Sequence, residues 1–220
     1  MLRGGDRAPQ IAAELRRRIH EEEGLTCSVG IATNKFLSKL ATEHAKPRAS
    51  LTGPVFGTGV HLVPAGTELD FLHPMAVGEL WGVGPATRSR LSRVGIETIG
   101  DLAAQPVERL EATVGRAAGR HLHRLAHGID ERPVVVDQQA KSIGHEETFP
   151  RDLRDGPGLR RALVGMADAV ASRLRGANVA GRRVTIKVRF ADFTTITRSQ
   201  TLAESVDDAR SVLTLSLIHI

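Results

Sequence analysis

The chain has 220 residues, 41% of them hydrophobic, which is enough apolar material for one large domain or two small ones and excludes a wholly disordered chain. Lys and Arg number 30 against 25 Asp and Glu, and the formal net charge of +5 favours a polyanionic partner. Only 3% of residues are aromatic, too few for a row of ring platforms, so a grip on nucleic acid is expected through backbone phosphates. The single cysteine excludes an internal disulfide and any multi-cysteine metal site, and no stretch approaches the roughly 20 apolar residues that span a bilayer, so a cytoplasmic protein with no membrane partner is expected.

Residues 9–23 place Ile11, Ala12, Leu15 and Ile19 at helical spacing, with arginines and glutamates on the other faces and Gly24 as the stop. Residues 25–32 form a short β-prone run that puts Cys27 in the core. Thr33 or Asn34 then caps a helix over 35–44 whose apolar face is Phe36, Leu37, Leu40 and Ala41. Pro47 ends that helix, a Gly- and Pro-rich loop covers 51–59, and a short strand covers 61–63. From 75 to 128 the texture changes to short helices punctuated by glycine, over 77–81, 85–94, 99–104, 107–114 and 117–127. Residues 131–139 (ERPVVVDQQ) have no helical period and suit a tether. A strand over 142–149, a helix over 159–174 and strands over 182–190 and 194–202 make a β-α-β-β unit, and a further helix begins at Val206.

Two features carry chemistry. In Trp81-Gly82-Val83-Gly84-Pro85 the glycines permit a tight turn and close approach to a ligand, and Pro85 suits a first helical turn. Unpaired amides at such a helix start favour an anion, and Arg88, Arg90 and Arg93 follow with no acid between Gly82 and Ile96. A tight turn between packed helices is the bland alternative; the trailing Gly95-Ile96-Glu97-Thr98-Ile99 favours phosphate. A weaker turn recurs at Gly115, ahead of Arg120 and Arg124. The second feature is the strand RRVTIKVRF, which alternates Val184, Ile186, Val188 and Phe190 with Arg183, Thr185, Lys187 and Arg189. Thr195, Thr197, Ser199 and Thr201 offer hydroxyls on the next strand, so a surface that tracks a sugar-phosphate backbone is preferred over a solvated face.

Taken together, residues 26–41 (TCSVGIATNKFLSKLA), Ala45-Lys46-Pro47, the hairpin region 81–102, His127-Gly128-Ile129-Asp130-Glu131-Arg132 and Lys141-Ser142-Ile143-Gly144 resemble, in order, the Y-family DNA polymerases of the bacterial DNA polymerase IV type. The resemblance implies an α+β multidomain fragment: an α/β palm remnant over 1–70, an all-α helix-hairpin-helix thumb over 71–130, a tether over 131–140 and an incomplete little finger over 141–214. It implies that Lys46 contacts an incoming triphosphate. By the same resemblance Lys35 and Lys39 lie near DNA, and the hairpins hold duplex phosphates through amides at Gly82, Gly84 and Gly115, beside Arg88. Lys141, Ser142, Gly144 and His145, with Arg183, Lys187 and Arg189, are implied along the template and primer backbones. The partners it implies are primer-template DNA, a deoxynucleoside triphosphate and the sliding clamp, and its metal is Mg2+.

The chain departs from that pattern in its acids. The family's catalytic carboxylates include an Asp-Glu pair at a strand end, whereas the only Asp-Glu here is Asp130-Glu131 at the thumb exit, so no catalytic or metal-binding residue is expected. A helix-hairpin-helix DNA-binding module without enzymatic activity is the alternative reading. The nine histidines give no metal site by spacing. Met1 reads as an internal codon. Residues 215–220 (LSLIHI) match a translated sequencing adapter and are set aside from the fold.

Overall fold

The computed structural model describes residues 7–138, 140–153 and 156–217. The chain divides into two compact units, 1–135 and 136–220.

In the first unit, α1 (Ala8–Glu23) starts with Pro9 in its first turn and stops at Gly24, at φ 68°. Ion pairs of Arg17 with Glu14 (2.6 Å) and of Arg18 with Glu22 (2.8 Å) line its polar side, while Ile11 and Leu15 stay exposed. β1 (Val29–Ile31) pairs in parallel with β4 (Val60–Leu62), and α2 (Lys35–Ala45) buries Phe36, Leu37, Leu40, Ala41 and Ala45. The strand is thus shorter than the run over 25–32. Cys27 falls outside it and is half-buried rather than core, its carbonyl taken by Arg16 Nε at 2.9 Å. The loop expected over 51–59 contains half of a small antiparallel hairpin, β2 (Arg48–Ser50) with β3 (Gly53–Val55). Its residues are mostly exposed, so no apolar alternation marked it.

A short helix, α3 (Glu68–Leu72), and a 3-10 turn (Val77–Glu79) lead into α4 (Pro85–Ser92), α5 (Ile99–Ala103), α6 (Val107–Val114) and α7 (Arg116–Ala126). One core runs from Leu37 and Leu40 through Leu72, Val77 and Leu91 to Leu110, Leu122 and Leu125. A five-residue helix such as α5 is unstable alone. Each fully buried Leu or Ile contributes about 1.5–3 kcal/mol, so this core, not helix propensity, holds the module.

In the second unit, α8 (Pro157–Gly176) buries Leu163, Ala167, Ala171 and Leu174. β5 (Gly181–Arg189) and β6 (Thr195–Val206) form an antiparallel hairpin, and α9 (Ala209–Leu217) buries Val212 and Leu215. The unit is α-β-β-α rather than β-α-β-β, because no strand forms over 142–149. Ile143, His145 and Phe149 are half-buried with strand-like alternation. The segment nevertheless meets β5 through a side-chain contact, Lys187 Nζ to Glu146 Oε1 at 2.8 Å, without forming ladder hydrogen bonds. The last helix starts after Val206, which is still paired with Gly181. Leu215, Ser216 and Leu217, set aside by the sequence reading, continue α9, and the rest of that hexapeptide lies outside the described residues.

Candidate nucleic-acid interface

The first hairpin turn is closed by Val83 N donating to Leu80 O at 3.0 Å, and Gly82 takes φ 96°. Gly84 is the N-cap of α4 and Pro85 fills its first turn. No side chain caps this end, so the amides of Ala86 and Thr87, which have no intrahelical acceptor, face outward. Arg88 and Arg90 are exposed on α4, and among the described residues neither they nor Arg93 form an ion pair. At the second turn Gly115, at φ 97°, ends α6 and starts α7. Its own amide donates to Glu111 O at 2.9 Å, so the free donors there belong to Arg116, Ala117 and Ala118. A residue the sequence reading passed over sets this turn: a Cβ on Gly119 would lie 2.5 Å from Glu111 N, so glycine lets α7 cross α6 at backbone contact.

On the β5–β6 hairpin the expected face is assembled in register. Arg183 stands opposite Thr201, Thr185 opposite Ser199, Lys187 opposite Thr197 and Arg189 opposite Thr195. Arg183 Nε donates to Thr201 Oγ1 and Arg189 Nε to Thr195 Oγ1, each at 3.2 Å, while the Thr185 and Ser199 hydroxyls share a hydrogen bond of 2.8 Å. The two arginines of one strand are thereby held by hydroxyls on the other, and same-face neighbours along a strand stand about 6.6 Å apart. Val184, Ile186 and Val188 are half-buried on the opposite face. Phe190, expected to extend that apolar row, lies past the strand end and is half exposed. Lys187 also meets Glu146, and its ammonium holds that carboxyl below the usual range. Lys141, Ser142 and Gly144 are exposed, His145 is half-buried, and Gly144 O accepts from Arg173 Nη1.

The palm lysines are engaged locally. Lys46 ends α2 in an extended conformation, as a residue before proline prefers, and its Nζ donates to both Glu43 oxygens at 2.8 and 2.9 Å. Lys39 Nζ lies 3.6 Å from the same carboxylate, which hydrogen bonding from Lys46 keeps below its ordinary pKa. Lys35 Nζ donates to Pro133 O at 3.0 Å. Asn34, besides capping α2 through Leu37 N (3.0 Å), donates to Gly128 O at 2.8 Å. The start of α2 therefore clasps the end of the helical module, a contact across about 94 residues that no local pattern announces.

The Asp130-Glu131 pair does not suit a divalent metal. Asp130 presents both oxygens to Arg132 (2.6 and 2.9 Å), whose guanidinium stacks 4.8 Å from the Trp81 ring centroid, and Glu131 pairs with Arg124 at 2.5 Å. Arg132 accordingly holds the Asp130 carboxyl well below its ordinary range. Among the described residues no three His, Cys, Asp or Glu side chains converge as a metal site.

Three family descriptions match along the chain: the impB/mucB/samB family over residues 2–43, the DNA polymerase-iota thumb domain over 78–130, and the impB/mucB/samB family C-terminal domain over 140–217. DNA polymerase IV of Desulfatibacillum aliphaticivorans is 39% identical over 205 residues, covering 93% of this chain and 49% of that protein. DNA polymerase IV 2 of Mesorhizobium japonicum is 42% identical over 196 residues, covering 89% and 45%. The fold also matches a chimera of the Y-family DNA polymerases Dbh and Dpo4, with a TM-score of 0.70 and 22% identity over 96% of this chain and 58% of that one. The chain belongs to the impB/mucB/samB family, the Y-family DNA polymerases. It spans about half the length of the curated relatives it matches.

Proposed function

We propose that this chain is the DNA-gripping part of a translesion DNA polymerase, holding the sugar-phosphate backbones of primer-template DNA while a longer protein carries out template-directed nucleotidyl transfer. The observation that carries this reading is the in-register ribbon of Arg183, Lys187 and Arg189 backed by Thr195, Thr197 and Thr201. A solvated strand needs no such matching of cation to hydroxyl. The outward amides of α4 and α7 add anion sites of the kind helix starts provide.

Within this reading Lys46 and Lys39 exchange Glu43 for the phosphates of a deoxynucleoside triphosphate and of the primer. Mg2+, the metal of the family, would be held by carboxylates of a kind that the described residues of this chain do not bring together, so on this reading the chain alone grips DNA without extending it. The sliding clamp and a cytoplasmic location follow from the family alone; no described helix is long and apolar enough to cross a membrane.

Replacing Arg183, Lys187 and Arg189 together with Gln tests the ribbon. Duplex affinity should fall regardless of sequence, and the log–log salt dependence should flatten by about 0.9 for each lost phosphate contact. An unchanged slope, measured by fluorescence anisotropy from low to moderate salt, removes the ribbon as the contact face.

A further inference from the structure

We propose that Phe193, at the tip of the β5–β6 hairpin, is a stacking platform for an unpaired nucleobase at the end of the cationic ribbon. The proposal rests on reading that ribbon as a phosphate track.

Among the described residues only two other than glycine have positive φ: Asn178 at 51° and Phe193 at 63°. Asparagine adopts this conformation readily; a bulky aromatic residue does so only as an outlier. The turn enforces it. Phe193 N donates to Phe190 O and Phe190 N to Thr194 O, both at 2.9 Å, and Asp192 Oδ1 accepts from Thr194 N at 2.8 Å. Glycine at this position would relieve the strain, and the ring gains nothing from burial to offset it, being 78% exposed. A strained backbone that presents an unburied ring points to a ligand for the ring.

The surroundings select the ligand. Arg189–Thr195 is the last rung before the turn, and its cation faces the same side as Arg183 and Lys187. Asp192, the one acid in the turn, already accepts from the backbone. A strand of nucleic acid whose phosphates follow the ribbon would reach the tip with bases to one side. Every base has a π face, so one ring there grips without reading sequence. The chain lacks a row of aromatic platforms, but one platform at the end of a phosphate track needs no row.

The test uses the 220-residue chain as Phe193→Gly and Phe193→Tyr, with a blunt duplex and a duplex of equal length bearing a single-stranded 5′ overhang that contains 2-aminopurine. Phe193→Gly should weaken overhang binding about tenfold, in line with the loss of one base–aromatic stack, and abolish the 2-aminopurine fluorescence change. Blunt-duplex affinity should stay unchanged, and Phe193→Tyr should retain both signals. Full overhang affinity for Phe193→Gly overturns the proposal and leaves the ring to a protein partner or to none; equal loss on both duplexes overturns it too, making the ring a support for the ribbon. Salt dependence of the Arg183, Lys187 and Arg189 variant separates the two readings: a flattened slope with no Phe193→Gly effect removes the platform alone, and an unflattened slope removes the ribbon.

Discussion

Asp101 shows what a single carboxylate does in the helical module. Its Oδ2 accepts from the amides of Thr98 (2.8 Å) and Glu97 (3.1 Å), while Thr98 Oγ1 accepts from Asp101 N at 3.0 Å. These reciprocal bonds start α5 just after the first hairpin and hold the Asp101 carboxyl below its ordinary value of 3.8. A group whose folded pKa is depressed stabilises the fold above its unfolded pKa, and that contribution is lost as pH falls through the folded value. Asp101→Asn should therefore lower the melting temperature at neutral pH, with the gap to the parent chain closing below about pH 4. Thr98→Ala should cost about 1 kcal/mol by thermal or denaturant unfolding. The helix expected from Ile99 was legible because its pattern is local, whereas its Thr98–Asp101 cap was not singled out in the sequence. Nor was Gly119, since the atom its Cβ would strike belongs to Glu111 on another helix.

At the scale of elements, periodicity located most helices to within a few residues, and α6 fell on the expected residues 107–114, because each buries one apolar face. The alternating strand was legible for the same reason with a period of two, and its register with β6 then followed from a short turn. What misled was alternation without a partner: residues 142–149 carry the pattern of a strand but form no ladder, and Glu146 meets Lys187 through side chains alone. Periodicity reports which side is buried and says nothing about whether an edge is available to pair. Glu146 is strongly exposed, so its ion pair adds little stability. Its charge matters more as a competitor for Lys187. Glu146→Gln should leave the melting temperature nearly unchanged while tightening duplex binding and steepening the salt slope by up to about 1, read from the same anisotropy titrations.

For the whole molecule, motif order implied a palm remnant over 1–70, a thumb over 71–130, a tether over 131–140 and a little finger over 141–214, whereas the chain divides into two compact units, 1–135 and 136–220. The clasp of the start of α2 on residues 128–133 could not be read from sequence. Lys35, whose motif position pointed to DNA, donates to Pro133 O, and Asn34 to Gly128 O. Contacts spanning almost half the chain leave no local signature. They accompany the division of the chain, in which residues up to Val135 belong to the first unit. Asp130 and Glu131, the one Asp-Glu pair of the sequence and not expected there to be catalytic, are engaged by Arg132 and Arg124 in the fold.

The most direct measurement is the salt dependence of DNA binding by the intact 220-residue chain on two duplexes of unrelated sequence. Backbone gripping by the ribbon and the helix starts predicts tight binding at low salt, equal on both duplexes, with affinity falling along a log–log slope of at least about 3 in magnitude. Failure to bind at low salt, or a strong preference for one sequence with a shallow slope, would contradict it.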